Sequence, residues 1–202
     1  MNKDDIANYS AVDSLRNGRE VTIRAIRPDD RGQFAGALRE LSSESFYRRT
    51  FSSKRELSET DLEKLTEVDF KNVVALVAVM NEEGQERIVG GGRYIHIGDA
   101  AVRNAEVAFL VDDAHQGMGI GSRIFRHLLA IARTSGIAAF EAEVLPSNEG
   151  MLRLFDRSGL PVTTVRAEDT VHVTVVLTIA EKDHDALKKQ QDRKDLQDRK
   201  TP

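Results

Sequence analysis

Several features that direct a protein to a particular chemistry are absent from this sequence. It contains no cysteine, so disulfides, thiolate-bound metals and cysteine nucleophiles are excluded. Tryptophan is also absent and aromatic residues make up only 5%, so we expect a core of mainly Val, Leu, Ile and Ala. The net charge of −4 lacks the basic excess typical of nucleic-acid-binding proteins. We therefore expect no nucleic-acid partner.

Long hydrophobic runs are missing as well. Residues 1–10 are polar and lack the apolar stretch of a signal peptide. No other run approaches the ~20 apolar residues that span a bilayer. These absences predict a cytoplasmic protein with no membrane partner.

The histidines do not suggest a metal site. None of the five has the spacing of a metal-binding motif. We therefore expect no metal. We expect His115, which precedes a glycine-rich loop, to face solvent, with contact to a phosphate as the alternative. The full set is His96, His115, His127, His172 and His184.

The chain has the size and composition of one globular domain. It has 202 residues, of which 40% are hydrophobic and 31% charged. Residues 1–20 are polar and are predicted to form an N-terminal extension. The domain itself is expected over residues 21–180. Residues 181–202 form a charged tail that we expect to be frayed or disordered.

Hydrophobic periodicity predicts an alternation of strands and helices. Early antiparallel strands followed by βαβ units indicate a mixed α/β sheet. A capping box, Ser58 followed by Asp61, marks one helix start. Strands are expected at 21–26, 73–80, 87–97, 106–111, 138–145 and 171–179, and helices from Pro28 to about Leu41 and at 42–51, 58–68, 120–135 and 148–158.

The loop Gln116–Ser122 is the most informative segment. It carries three glycines between a strand and an amphipathic helix, where backbone N–H groups can bind phosphate. Arg123 and Arg126, in the first turns of that helix, can add charge-assisted contacts. The spacing fits neither the dinucleotide-binding motif nor the P-loop. Glycines that only form a structural turn remain the alternative.

This loop and its surroundings resemble the GNAT superfamily of N-acetyltransferases. The family pattern Gln/Arg-x-x-Gly-x-Gly/Ala matches Gln116–Gly121, and its Asn landmark matches Asn148, ahead of Gly159-Leu160. The resemblance covers roughly residues 20–178. It implies an α/β fold of the α+β type, in which helices flank a mixed, mostly antiparallel sheet of six to seven strands. Ile26–Asp30, Ala105–Phe109 and Arg157–Gly159 are most similar to bacterial protein-lysine acetyltransferases.

The resemblance also implies a binding site for acetyl-CoA as co-substrate. Backbone groups at the end of one strand would pair with the pantetheine arm, and the glycine loop would hold the pyrophosphate. Asn148 would hydrogen-bond the pantetheine arm, although a simple helix N-cap is its alternative role. The predicted cofactor-binding residues are Phe109, Leu110, Val111, Gln116, Gly117, Met118, Gly119, Ile120, Gly121, Ser122 and Asn148.

Transfer to an amine requires a base, because an alkylammonium with a pKa of about 10.4 is protonated at neutral pH. Glu106 matches the Glu of the lysine-acetyltransferase branch and is our first choice for this base. The alternative for Glu106 is a solvent-facing strand residue. Glu143, which stands five residues before Asn148, is the rival base.

Two further expectations concern the reaction and its partners. Many family members protonate the leaving thiolate with a Tyr, at a position where this chain has Phe155. The thiolate then leaves unassisted, another group serves, or the protein is a non-catalytic acyl-CoA-binding sensor. The amine acceptor is expected to be a protein lysine, with a small-molecule amine as the alternative, and a homodimer is compatible with the sequence.

Overall fold

The computed structural model describes residues 1–50, 58–98 and 103–177. Strands and helices follow one another along the chain, as the hydrophobic periodicity predicted. The helices are α1 (Lys3–Ala7), α2 (Arg31–Glu40), α3 (Ser43–Thr50), α4 (Glu59–Thr66), α5 (Ile120–Thr134) and α6 (Glu149–Asp156). The strands are β1 (Ser10–Ser14), β2 (Glu20–Ala25), β3 (Val73–Glu82), β4 (Gln85–Ile97), β5 (Asn104–Val111), β6 (Ala139–Val144), β7 (Val162–Arg166) and β8 (Val171–Val176).

All eight strands belong to one sheet, in the order β1-β2-β3-β4-β5-β6-β8-β7. Each neighbouring pair is antiparallel except β5 and β6, which run parallel. The predicted mixed, mostly antiparallel sheet is confirmed, with more strands than the expected six to seven. The additional strands are β1 and β7.

The first twenty residues contribute to the fold as well as preceding it. Strand β1 is an edge strand that pairs with β2 from Ser10 to Ser14. Its Asp13 carboxylate accepts hydrogen bonds from Arg126 at 2.6 Å and lies 2.9 Å from His127 Nε2, both in α5. The N-terminal strand is therefore attached to the helix that follows the glycine loop.

Helices cover the sheet on both faces. Buried residues of α5 and α6, including Ile124, Leu128 and Phe155, share the main core with β3 to β6 and β8. On the opposite face, Leu38 of α2 and Leu62 of α4 pack with Leu110 of β5. Helices thus lie on both faces of β5, of which Ala105 and Val107 are fully buried.

The predicted helix start at Ser58 is confirmed. Ser58 Oγ accepts from Asp61 N–H at 3.2 Å, and the Asp61 carboxylate accepts from Ser58 N–H at 3.1 Å. The predicted tail at 181–202, and the end of the strand predicted at 171–179, lie outside the described residues.

A buried ion pair joins β2 to the turn before α2. Arg24 donates two hydrogen bonds of 2.7 Å to Asp30, and the two residues are only 8% and 6% exposed. Burial alone would raise the pKa of Asp30, but hydrogen bonds from Arg24 and the Arg27 N–H lower it below its usual value. Because both side chains are shielded from water, each charge is stabilised by the other and not by solvent.

We predict that Asp30→Asn destabilises the fold by about 3–5 kcal/mol, because it leaves the Arg24 guanidinium buried without a counter-charge. Urea unfolding measures the change. Glu149→Gln, in the exposed pair with Arg153, is the matched control and should cost under about 1 kcal/mol. Equal effects of the two substitutions would contradict this assignment.

The same pair predicts a pH dependence. The folded pKa of Asp30 lies below the unfolded value of about 3.9, so the carboxylate contributes its full stability above that pH. The contribution is lost as the pH falls through the folded pKa. Wild-type stability should therefore decline below about pH 4 more steeply than that of Asp30→Asn.

Candidate active site

The sheet divides where its two parallel strands meet. Strands β5 and β6 pair only at three positions, and the last of these joins Glu106 to Glu141. Beyond it, β5 continues to Val111 beside β4, while β6 continues to Val144 beside β8. The strands separate after this pair, so the β6-facing backbone edge of β5 lies open over its last residues.

A cavity of about 550 Å³ lies at this separation. It is bounded by the open ends of β5 and β6 and by α2, α4 and α6. Apolar side chains form part of its wall, and a few charged and polar groups converge on it. Its lining residues include Phe34, Leu38, Asp61, Lys64, Arg93, Glu106, Phe109, Leu110, Glu143, Asn148 and Met151.

Both candidate bases line this cavity. Glu106 is solvent-exposed on β5 and has no hydrogen-bond partner among the described residues. Glu143 lies on β6, where its Oε1 is 2.7 Å from His172 Nδ1. The structure thus brings both predicted carboxylates to one site and leaves the oxygens of Glu106 free to accept a proton.

Asn148 lines the same cavity at the start of α6. Its Oδ1 accepts a hydrogen bond of 3.2 Å from the Met151 N–H, so the N-cap role is present. Its amide nitrogen makes no hydrogen bond within the described part of the chain. One side chain can therefore cap the helix with its oxygen and donate to a ligand with its nitrogen.

The glycine loop opens helix α5 with its backbone donors accessible. Gly117 and Gly119 have φ angles of 78° and 91°, in the left-handed region, and Gly119 is the N-cap of α5. Because the cap residue has no side chain, no side-chain oxygen caps the first N–H groups of the helix. Ile120 is only 1% exposed and belongs to the core, so its side chain is not available to a ligand, whereas Gly117 and Ser122 of the same loop are exposed.

The predicted role of Arg123 and Arg126 in this loop is not supported. Arg123 donates to the Ser14 carbonyl at 2.8 Å, and Arg126 donates to both oxygens of Asp13. Both guanidinium groups are thus bound to β1. Arg16 stands at the loop instead, with its Nε 3.9 Å from the point that a Cβ at Gly119 would occupy.

The expectation that His115 faces solvent is wrong. The residue is 5% exposed, with Nδ1 2.8 Å from Asp112 and Nε2 3.0 Å from Glu82. Hydrogen bonds from His115 and Arg19 lower the pKa of Glu82 below its usual value. His115 thereby fastens the segment before the glycine loop to the end of β3.

Asp113 connects this segment to α3. Its carboxylate accepts from the Ser42 N–H at 2.8 Å, from Ser45 Oγ at 2.5 Å and from the Gln116 amide at 2.8 Å. The side chain of Gln116 is therefore turned back onto its own loop. The glycine loop and the start of α3 share one hydrogen-bonding centre.

Phe155 lies in the core. It is 1% exposed and makes edge-to-face contacts with Phe109 and Phe125, at centroid distances of 6.4 and 5.9 Å. Among the described residues that line the cavity, none carries a hydroxyl or thiol. Within that lining, no side chain resembles the tyrosine that many family members use.

Sequence reasoning missed two arginines near the site, Arg93 in the cavity and Arg16 beside the loop. The sequence signal for Arg93 is its position in the alternation of β4. It pairs with Ala108, so it lies on the face of the sheet that carries Glu106. Arg16 approaches the loop through the turn between β1 and β2. The sequence carries no signal for that contact because β1 was not predicted.

Two kinds of feature are not found in the described part of the chain. No group of three or more His, Asp or Glu side chains there could hold a metal ion. Residues 1–50, 58–98 and 103–177 likewise contain no helix with the length and hydropathy needed to cross a bilayer.

Comparisons with known proteins agree with this geometry. The family model described as Acetyltransferase (GNAT) family matches residues 36–160, more than half of the chain. Acetyltransferase Pat of Mycolicibacterium smegmatis is 37% identical over 145 residues, which are 72% of this chain and 42% of that protein. Acetyltransferase PA5475 of Pseudomonas aeruginosa is 31% identical over 140 residues, 69% of this chain and 74% of that one.

A solved structure shows the same fold. The GNAT domain of PAT from S. lividans superposes with a TM-score of 0.73 at 34% identity, covering 83% of this chain and 96% of that one. The chain spans less than half the length of the M. smegmatis relative. The structural likeness extends over nearly all of the S. lividans domain.

The loop geometry generates a prediction that needs no ligand. Gly119→Ala should destabilise the fold by about 1–2 kcal/mol, because a φ of 91° strains any residue with a Cβ. Gly121→Ala is the matched control, since its new Cβ would make ordinary contacts with Leu154 and Val111 at 3.6 and 3.8 Å. Urea unfolding of both variants measures the difference, and equal stabilities would contradict it.

Proposed function

Because the chain belongs to the acetyltransferase (GNAT) family, we propose that it transfers the acetyl group of acetyl-CoA to the side-chain amine of a protein lysine, with Glu106 as general base. The observation that carries this proposal is the free Glu106 carboxylate at the point where β5 and β6 separate. The cavity lies at that point, the open edge of β5 extends from it to Val111, and the glycine loop comes after the end of the strand.

The cofactor would bind along the separation of the strands. Its pantetheine arm would pair with the backbone of Phe109 to Val111, in place of the strand partner that β5 lacks there. Its pyrophosphate would bind the backbone N–H groups of Gly117 to Ser122 at the positive end of α5. Arg16 would contribute a guanidinium on the outer side of the loop.

The base removes the main obstacle to the reaction. Deprotonating a lysine ammonium at pH 7 costs roughly 4–5 kcal/mol. Glu106 accepts that proton, directly or through water, and the neutral nitrogen attacks the thioester carbonyl carbon. A backbone N–H of β5 stabilises the oxyanion of the tetrahedral intermediate.

Collapse of the intermediate completes the transfer. The carbon–sulfur bond breaks, the attacking nitrogen releases its remaining extra proton to solvent so that the new amide is neutral, and the sulfur leaves as a thiolate. A thiol pKa near 8.5 makes this thiolate an acceptable leaving group without a protonating tyrosine. The burial of Phe155 in the core is consistent with that route.

The charge of the sheet face supports a cationic acceptor. Glu106, Glu141 and Glu143 lie on the same face of β5 and β6, and Asp61 of α4 borders the cavity. Carboxylates that line a cleft attract a cationic lysine. Lys64 and Arg93 lie in the same lining, so the cavity carries both signs of charge. A cytoplasmic location, which the sequence predicted, is part of the same proposal.

We predict that Glu106→Gln lowers kcat about 10²- to 10⁴-fold, because the amide cannot take the ammonium proton. Free-thiol release with lysine peptides measures turnover. Acetyl-CoA at ~100 times its dissociation constant should still stabilise the variant by about 2.7 kcal/mol. Glu141→Gln is the control, since Glu141 already accepts a hydrogen bond of 2.7 Å from Asn104.

The outcomes of this experiment separate the alternatives. Loss of turnover in Glu143→Gln alone would transfer the role of base to the rival carboxylate. Stabilisation by acetyl-CoA without turnover for any lysine peptide or small amine would favour a sensor. Absence of stabilisation would overturn the proposed cofactor site.

A second prediction separates the two roles of Asn148. Asn148→Asp keeps an oxygen for the Met151 N–H, so its stability should stay within about 0.5 kcal/mol of wild type. The variant lacks the amide donor, so its affinity for acetyl-CoA should fall about 10-fold. Asn148→Ala should lose both properties. Unchanged acetyl-CoA affinity in Asn148→Asp would restrict the residue to the capping role.

A further inference from the structure

Arg93 occupies a central position in the cavity. It lies on β4 opposite Ala108 of β5, so its side chain is on the face that carries Glu106 and Leu110. Glu106 and Leu110 flank Ala108 on β5, and they are therefore the diagonal cross-strand neighbours of Arg93. The guanidinium thus belongs to the wall between the proposed base and the strand end where the thioester would bind.

The guanidinium of Arg93 has no hydrogen bond or ion pair with the described residues, although it is half-buried. Arg24, the other arginine held well inside the described structure, shows the usual arrangement, with two hydrogen bonds to Asp30. Burial lowers the pKa of Arg93, and the charge of Glu106 opposes that shift only in part. A partly desolvated cation without a directly hydrogen-bonded counter-ion is costly, and a ligand that supplies one is favoured.

The shape of the group indicates the chemistry of that ligand. A guanidinium offers parallel N–H donors that match the two oxygens of a carboxylate. The phosphates of the cofactor would bind at the glycine loop, which follows Val111, whereas Arg93 pairs with Ala108 before the end of β5. The cavity itself therefore calls for a smaller anion carried by a reacting group.

We propose that Arg93 binds a carboxylate that one of the two reactants brings into the cavity. This inference rests on the acyl transfer of the proposed function and specifies either its acyl donor or its acceptor more closely. The carboxylate has two sources: the free end of a dicarboxylic acyl group on coenzyme A, or an acidic group beside the acceptor amine. In both cases Glu106 remains the base, and the bonds formed and broken are those of the acyl transfer described above.

The first arm of the test compares acyl donors of equal length. Succinyl-CoA and butyryl-CoA have the same four-carbon chain and differ in the terminal carboxylate. If the acyl group is the source, wild type binds or uses succinyl-CoA at least about 10-fold better than butyryl-CoA. Arg93→Gln removes that preference and changes the butyryl-CoA values little.

The second arm compares acceptors. Lysine peptides with Glu beside the lysine are matched to peptides with Gln at the same position. If the acceptor is the source, wild type prefers the Glu peptides about 10-fold or more in kcat/KM, and Arg93→Gln abolishes the preference. Arg87→Gln, an exposed arginine of the same strand, is the matched control and should leave both preferences intact.

Binding measurements keep the inference separate from the proposed function. Thermal stabilisation by each acyl-CoA, and peptide binding to the CoA-saturated protein, report the carboxylate preference even without turnover. Absence of turnover with a preserved, Arg93-dependent preference would contradict the transferase and support the carboxylate site. No carboxylate preference in either arm, or an equal loss for all reactants in a folded Arg93→Gln, would overturn the inference.

Discussion

The short parallel pairing of β5 with β6 is the constraint from which the candidate site follows. Only three residue pairs join the strands, and each strand then continues beside an antiparallel neighbour. The separation therefore needs no distortion of either strand. It leaves one edge of β5 without a strand partner, and Glu106 lies at the point where the two strands begin to separate. Phe109, packed against Phe125 and Phe155, holds the base of the opening from the core side.

Some arginines of the protein stabilise the fold through hydrogen bonds, and two others lie at the candidate site. Arg24, Arg123 and Arg126 are each bound by a carboxylate or carbonyl of the protein. Arg93 lies in the cavity and Arg16 beside the glycine loop, and neither forms a hydrogen bond or ion pair with the described residues.

The sequence was sufficient for features that depend on local pattern, and insufficient for those that depend on distant partners. The hydrophobic pattern identified β5, the resemblance to lysine acetyltransferases indicated Glu106, and the glycine spacing identified the loop before α5. Strands β1 and β7 were missed because they lie at the sheet edges and are short and largely polar or exposed, without a buried hydrophobic run. The burial of His115 was missed because Glu82 lies 33 positions earlier in the chain.

The hydrogen bonds around Asp113 have a kinetic consequence. One carboxylate holds the N-terminal end of α3 through Ser42 and the glycine loop through Gln116. A cofactor that orders the glycine loop would also order the start of α3, the helix that contacts β5. Under the proposed function, we expect the amine acceptor to meet a completed surface only after the cofactor has bound. Such a linkage favours ordered addition, with the acyl donor entering first and the free coenzyme leaving last.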